Sequence, residues 1–155
     1  MPVTSQGTEP GLTLGKLNEF TLIMRVKPGG AAKLREIFPR LTDEEIQQVD
    51  TIHNARFVLF DDDTRLLVAT VFDGTWDQYM DDFHTKLGPQ WDAIFKNVEG
   101  WPGLRSLEDT SAFLRSVQVQ ASQFYALYPE ASTKDVQKAL RVKDLFDRAL
   151  DEAQS

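Results

Sequence analysis

Over Glu19–Lys27 apolar and polar residues alternate, and Phe20, Leu22, Met24 and Val26 fall on one side of an extended chain. That period of two predicts a strand, which Pro28-Gly29-Gly30 stops. Ala31, Ala32, Leu34, Arg35, Ile37 and Phe38 then recur at helical spacing as far as Pro39. Thr42-Asp43-Glu44-Glu45 opens a second helical stretch to about Val49 as a capping box. His53–Phe60 and Arg65–Phe72 flank the polar run Asp61-Asp62-Asp63-Thr64, which reads as a hairpin. With Phe60 opposite Arg65, one face carries His53, Ala55, Phe57, Leu59, Leu66, Val68, Thr70 and Phe72. Asn54, Arg56, Val58, Phe60, Leu67, Ala69 and Val71 fall on the other. Both faces are largely apolar, so each needs a cover.

Thr75-Trp76-Asp77-Gln78 caps the next helix, whose buried stripe is Trp76, Tyr79, Met80, Phe83 and Leu87. Gly88-Pro89 interrupts it before Trp91, Ile94 and Phe95 resume the pattern. A short helix around Asp109–Val117 follows, and the β-branched and aromatic content of Val119–Tyr128 predicts another strand. Ser132-Thr133-Lys134-Asp135 caps a long C-terminal helix with an apolar side. Residues 1–17, rich in Thr, Gly and Pro, read as a flexible N-terminal tail, with 18–155 as a single domain. The order is that of an α+β, ferredoxin-like βαββαβ antiparallel sheet with helices on one face and an additional C-terminal helix. Two copies packing their open faces into a dimeric α/β barrel would cover the other face, so a homodimer is expected.

Composition narrows the chemistry. The chain has 155 residues and a formal charge of −7, with five cations against fifteen anions in residues 42–109. An acidic chain lacks the basic face that displaces counterions from phosphates or meets anionic lipid, so neither nucleic acid nor membrane is an expected partner. The absence of cysteine removes thiolate catalysis, redox CxxC pairs and Cys-based zinc sites. No stretch of about 18 uncharged apolar residues and no leader-like start is present, and a cytoplasmic location is expected. Nucleotide-binding glycine motifs, GxSxG and HExxH are also missing.

The run from Phe20 to Val26-Lys27-Pro28-Gly29-Gly30 resembles the opening of the dimeric α+β barrel superfamily, which includes antibiotic-biosynthesis-type monooxygenases. Leu67–Tyr79 resembles that group's third strand passing into an aromatic-rich helix, and Phe95–Gly103 is similar to a set of ferredoxin-like proteins. The resemblance covers about residues 19–128. It implies a small-molecule enzyme with an apolar pocket, an oxygenase or a haem-dependent peroxidase-like enzyme acting on a hydrophobic or aromatic metabolite. Cofactor-independent cyclases or isomerases and non-catalytic ligand-binding subunits share the fold.

Two imidazoles carry the candidate chemistry. His53 begins a strand and is placed to act as a base, a proton shuttle or, as the resemblance implies, a haem ligand; a strand-end histidine bonded to backbone is the structural alternative. His84 shares a helix stripe with Asp77 and Asp81, a set able to hold a divalent metal, to form an acid/base pair or simply to make a solvated edge. The haem-binding relatives use a helix histidine, which would make His84 the ligand. Arg56, a charge in an apolar strand, needs either an anionic ligand or an acidic neighbour, and with Asn54 and Arg25 it forms a candidate orienting set. Phe57, Trp76, Tyr79 and Phe83 could line an aromatic pocket, although helical spacing also makes the last three core residues.

Overall fold

The structure, a computed structural model, describes residues 2–7 and 9–155. A five-stranded antiparallel sheet is built from β1 (Val3–Gln6), β2 (Glu9–Leu14), β3 (Leu17–Arg25), β4 (Ile52–Phe60) and β5 (Arg65–Asp73), in the spatial order β1-β2-β3-β5-β4. Between them and after them lie α1 (Gly30–Ile37), α2 (Asp43–Gln47), α3 (Trp76–Lys86), α4 (Gly88–Phe95), α5 (Leu107–Val117) and α6 (Thr133–Gln154). No helix among the described residues is long and apolar enough to cross a membrane.

From Asn54 to Phe60 the expected hairpin register is the observed one. Phe60 pairs with Arg65, Val58 with Leu67 and Arg56 with Ala69. The inner face of the sheet presents Phe20, Leu22, Met24, Leu66, Val68 and Phe72 to α3 and α4, and all six are buried. Aromatic rings fill the layer between sheet and helices: Tyr79 stacks on Phe72 at 4.2 Å, and Phe83 on Trp91 at 4.5 Å. Thr70 Oγ1 and the Tyr79 hydroxyl share a 3.1 Å hydrogen bond within this layer. Burial also pushes the Tyr79 hydroxyl pKa up.

Two expectations are corrected. Within the expected tail, Val3–Gln6 and Glu9–Leu14 are strands: β1 and β2 pair antiparallel, and β2 joins β3 through a two-residue turn, with Leu14 opposite Leu17. Gly15, at φ 60°, takes the first central position of that turn. A side chain there would strike the Pro129 carbonyl, which accepts the next N–H, from Lys16, at 2.8 Å. Val119–Tyr128 is not a strand. The outer edge of β3 is met beyond its first residues only by isolated bridges, Leu22 to Gln118 and Val26 to Val98. The hairpin holds the place beside β3 that a fourth core strand would take, so the segment after Gln118 is displaced onto the outer face. There Phe124 packs with Leu12, Leu14 and Leu17 in a second, smaller core.

Glu19 joins these parts. It is buried, and its Oε1 accepts from Leu12 N at 3.1 Å and from Ala121 N at 2.8 Å, while Oε2 accepts from the Thr21 hydroxyl at 2.8 Å. One carboxylate thus satisfies backbone donors of both segments that cover the outer face. Glu19→Ala leaves two N–H groups without an acceptor. Urea unfolding is expected to show a loss of about 3 kcal/mol, accompanied by faster proteolytic cleavage within residues 1–16; an unchanged midpoint would contradict this role.

Candidate functional site

β4 is an edge strand, and its start is irregular. Ile52 pairs with Phe72 and Asn54 with Val71, so His53 is the extra residue of a β-bulge. The bulge puts Ile52 rather than His53 opposite Phe72, and His53 lines one cleft together with Ile52, Ala55 and Phe57. Its Nε2 lies 2.6 Å from Asp73 Oδ1 at the end of β5, with the imidazole 19% and the carboxylate 13% exposed. The second oxygen, Asp73 Oδ2, accepts from Thr133 N at 2.7 Å, at the first turn of α6. Asp73 therefore fixes the ring through one oxygen and the root of α6 through the other.

The ring stands where two surface clefts of about 230 and 370 Å³ adjoin. Ile46, Gln47 and Ile52 line both with His53. Phe38, Leu41, Asp43, Asn54, Ala55 and Phe57 complete the larger cleft, and Val49, Asp50, Thr133, Val136 and Gln137 the smaller. The walls follow from the sequence upstream: α1 ends in Phe38 before Pro39, and the Thr42–Glu45 capping box starts α2 so that Ile46 faces β4. Phe38 and Phe57 sit 4.8 Å apart across the larger cleft, with Trp91 behind Phe57 at 5.8 Å.

Asp73 selects the tautomer. A carboxylate accepts a hydrogen bond and cannot donate one, so neutral His53 carries its proton on Nε2 and leaves a lone pair on Nδ1. Nδ1 has no hydrogen-bond partner among the described residues. The pair is thus a base with a fixed orientation and an apolar surface beside it.

The other candidate residues are elsewhere. Trp76, Tyr79 and Phe83 belong to the core and line neither cleft; Trp76 donates from Nε1 to Gln118 Oε1 at 3.0 Å under the Arg115 guanidinium. His84 packs between α3 and α5, with Nδ1 3.0 Å from the buried Thr110 hydroxyl. Asp77 and Asp81, which share its stripe, are exposed, and no group of three or more acidic or histidine side chains among the described residues is set to hold a metal. Arg25 and Arg56 are exposed on the outer face of the sheet, near Ile23, Leu67 and Val58, and Arg56 has no ion-pair partner among the described residues. Haem has no room between sheet and helices, where buried Tyr79, Phe83, Trp91 and Phe95 fill the space.

Asp73 went unrecognised in the sequence, although the signal was available. In the hairpin register His53 falls opposite Phe72, one residue from Asp73. Comparison with protein-family models, with curated proteins and with solved structures finds no match to this chain. The fold and site therefore define an α+β protein with an open antiparallel sheet and a histidine–aspartate pair beside two surface clefts.

The α6 root beside this pair responds to acid. The Ser132 backbone N–H, then the Lys16 ammonium 2.9 Å away and the Ser132 hydroxyl, hold the Asp135 carboxyl well below the usual carboxylate range. A depressed folded-state pKa stabilises fully above the ordinary carboxylate value and is lost as pH falls through the lowered one. Amide exchange at Val136–Lys138, corrected for its intrinsic rate, is expected to accelerate on acidification below that range. Asp135→Asn accelerates it already at neutral pH and flattens the dependence.

Proposed function

We propose that this protein is an acid/base enzyme that moves a proton on a small, hydrophobic carbonyl compound bound against Phe38, Leu41, Ile46 and Phe57, with no cofactor. The observation that carries this reading is the His53–Asp73 pair at the junction of two clefts, with the apolar side chains of Ile46 and Ile52 common to both. In the proposed step His53 Nδ1 takes a proton from carbon next to the carbonyl. The bonding pair stays on the substrate as an enolate, and Asp73 stabilises the imidazolium. Returning the proton to a different atom completes an isomerisation; attack of the enolate on a second electrophile within the same substrate gives a cyclisation. Asn54, at the larger cleft, and Gln47, at both, are neutral amide donors for the carbonyl oxygen. Deprotonation is also the first step open to a cofactor-free oxygenase, so the oxygenase expectation shares this base.

His53 is the catalytic residue of this reading and Asp73 its positioning residue. Nitrobenzisoxazole, a carbon acid that ring-opens on losing one proton, reports on a base beside an apolar surface without knowledge of the natural substrate. The protein is expected to open it faster than free imidazole at equal concentration, and His53→Ala to lose about 100-fold of that rate. Asp73→Asn removes the acceptor that holds the proton on Nε2, and a loss of similar order is expected, with the pH profile displaced. A wild-type rate no better than imidazole, or one untouched by His53→Ala, would overturn the proposal.

A further inference from the structure

The last element of the chain is unpartnered. None of the residues of α6 is buried, although Val136, Val142, Leu145, Phe146 and Leu150 all lie along it and Phe146 is 63% exposed. Its root is nevertheless fixed by Asp73, by Lys16 and by the Thr133 hydroxyl on the Asp50 carbonyl. It is therefore a stiff rod of 22 residues, about 33 Å long, held at one end, with an apolar stripe directed at nothing in its own domain.

The stripe has the spacing of a helix–helix seam. Ala139, Val142, Phe146, Ala149 and Ala153 follow one another at intervals of three, four, three and four. One flank of this seam carries Lys138, Leu145 and Glu152 at steps of seven; the other carries Val136, Lys143 and Leu150. Charge along the rod is divided as well. As far as Lys143 there are four cations and one anion, and from Asp144 onward four anions and one cation.

We infer that α6 pairs antiparallel with α6 of a second copy of this chain, about a two-fold axis near Leu145. In this register Ala139 meets Ala149 of the second copy and Val142 meets its Phe146, with the small alanines allowing close approach. Lys138 stands opposite Glu152 of the second copy, and by symmetry Glu152 opposite its Lys138; Leu145 meets its own equivalent, and Val136 meets Leu150. The basic half of each rod then lies along the acidic half of the other. Among the charged flank residues only Lys143 faces a like charge, and Asp147 of the same helix already pairs with it. A parallel pairing would instead oppose Lys138 to Lys143, without relief from Glu152. The single-chain self-complementarity of the flank is what selects a second copy as the occupant of this face.

Sedimentation of the intact protein at micromolar concentration and low salt tests the pairing. The expected wild-type species is a dimer, and Phe146→Asp, at an exposed position, yields a monomer with an unchanged far-ultraviolet spectrum. Lys138→Glu and Glu152→Lys each raise Kd about tenfold, the double variant K138E/E152K recovers the wild-type value, and the two single variants mixed together form heterodimers. A monomeric wild type, or a dimer indifferent to Phe146→Asp, would overturn the inference; so would failure of the double variant to recover. The reading of the His53 site stands or falls separately, because none of these substitutions touches the clefts.

Discussion

A central strand that is apolar on both faces imposes a requirement which the whole architecture answers. β5 lies between β3 and β4, and it sends Leu66, Val68 and Phe72 to one side and Leu67, Ala69 and Val71 to the other. Helices following their strands over short connections reach only one side, and α3 and α4 cover it with a layer of aromatic rings. The other side draws on whatever chain remains. Here that chain is the N-terminal hairpin and the segment after Gln118, which meet on Leu17 and Val71 around Phe124. They cover only the end of the face near Glu19, so Ile23, Val58 and Leu67 stay only partly covered beside Arg25 and Arg56.

Glu19 shows how this outer cover is held. A pair of short strands and an irregular segment bury little apolar surface by themselves, and their backbone donors near the sheet cannot all join a ladder. A buried carboxylate with acceptor capacity to spare meets donors from both at once, through Leu12 N and Ala121 N. Alternation along β3 would make position 19 a place for a small or apolar residue. A charge there is tolerated because each oxygen finds a partner.

How much of this could be read in advance depended on whether the deciding interaction was local. The β4–β5 register was legible because a four-residue polar turn joins two strands of equal length, and the helices of residues 76–95 because their aromatic stripe has one unambiguous period. The hairpin at 1–17 was not, since Thr-, Gly- and Pro-rich strands carry weak alternation and are stabilised by Glu19 and the Pro129 carbonyl, far along the chain. Val119–Tyr128 has the residues of a strand but reaches the sheet after its edge has been taken. Of the candidate residues, His53 and Phe57 lie at the clefts, where strand position is local information, while Trp76, Tyr79 and Phe83 are packed in the core and His84 lies against Thr110. Which of several aromatic residues faces a cleft depends on packing that no single element determines.

Asp73 links the two regions from which function is inferred. Its carboxylate has two oxygens and gives one to the His53 ring and the other to the backbone of Thr133, so the tautomer of the imidazole and the direction of α6 share a single anchor. Anything that shifts the α6 root pulls on the group orienting His53, and a positive charge on the ring strengthens the same carboxylate's hold on its near partner. Val136, one turn further along α6, lines the smaller cleft. A helix pair formed by two copies would therefore restrain one wall of each site as well as the anchor behind its base. The bulge leaves His53 without a partner on β5, with Ile52 opposite Phe72, and from that position its ring meets Asp73.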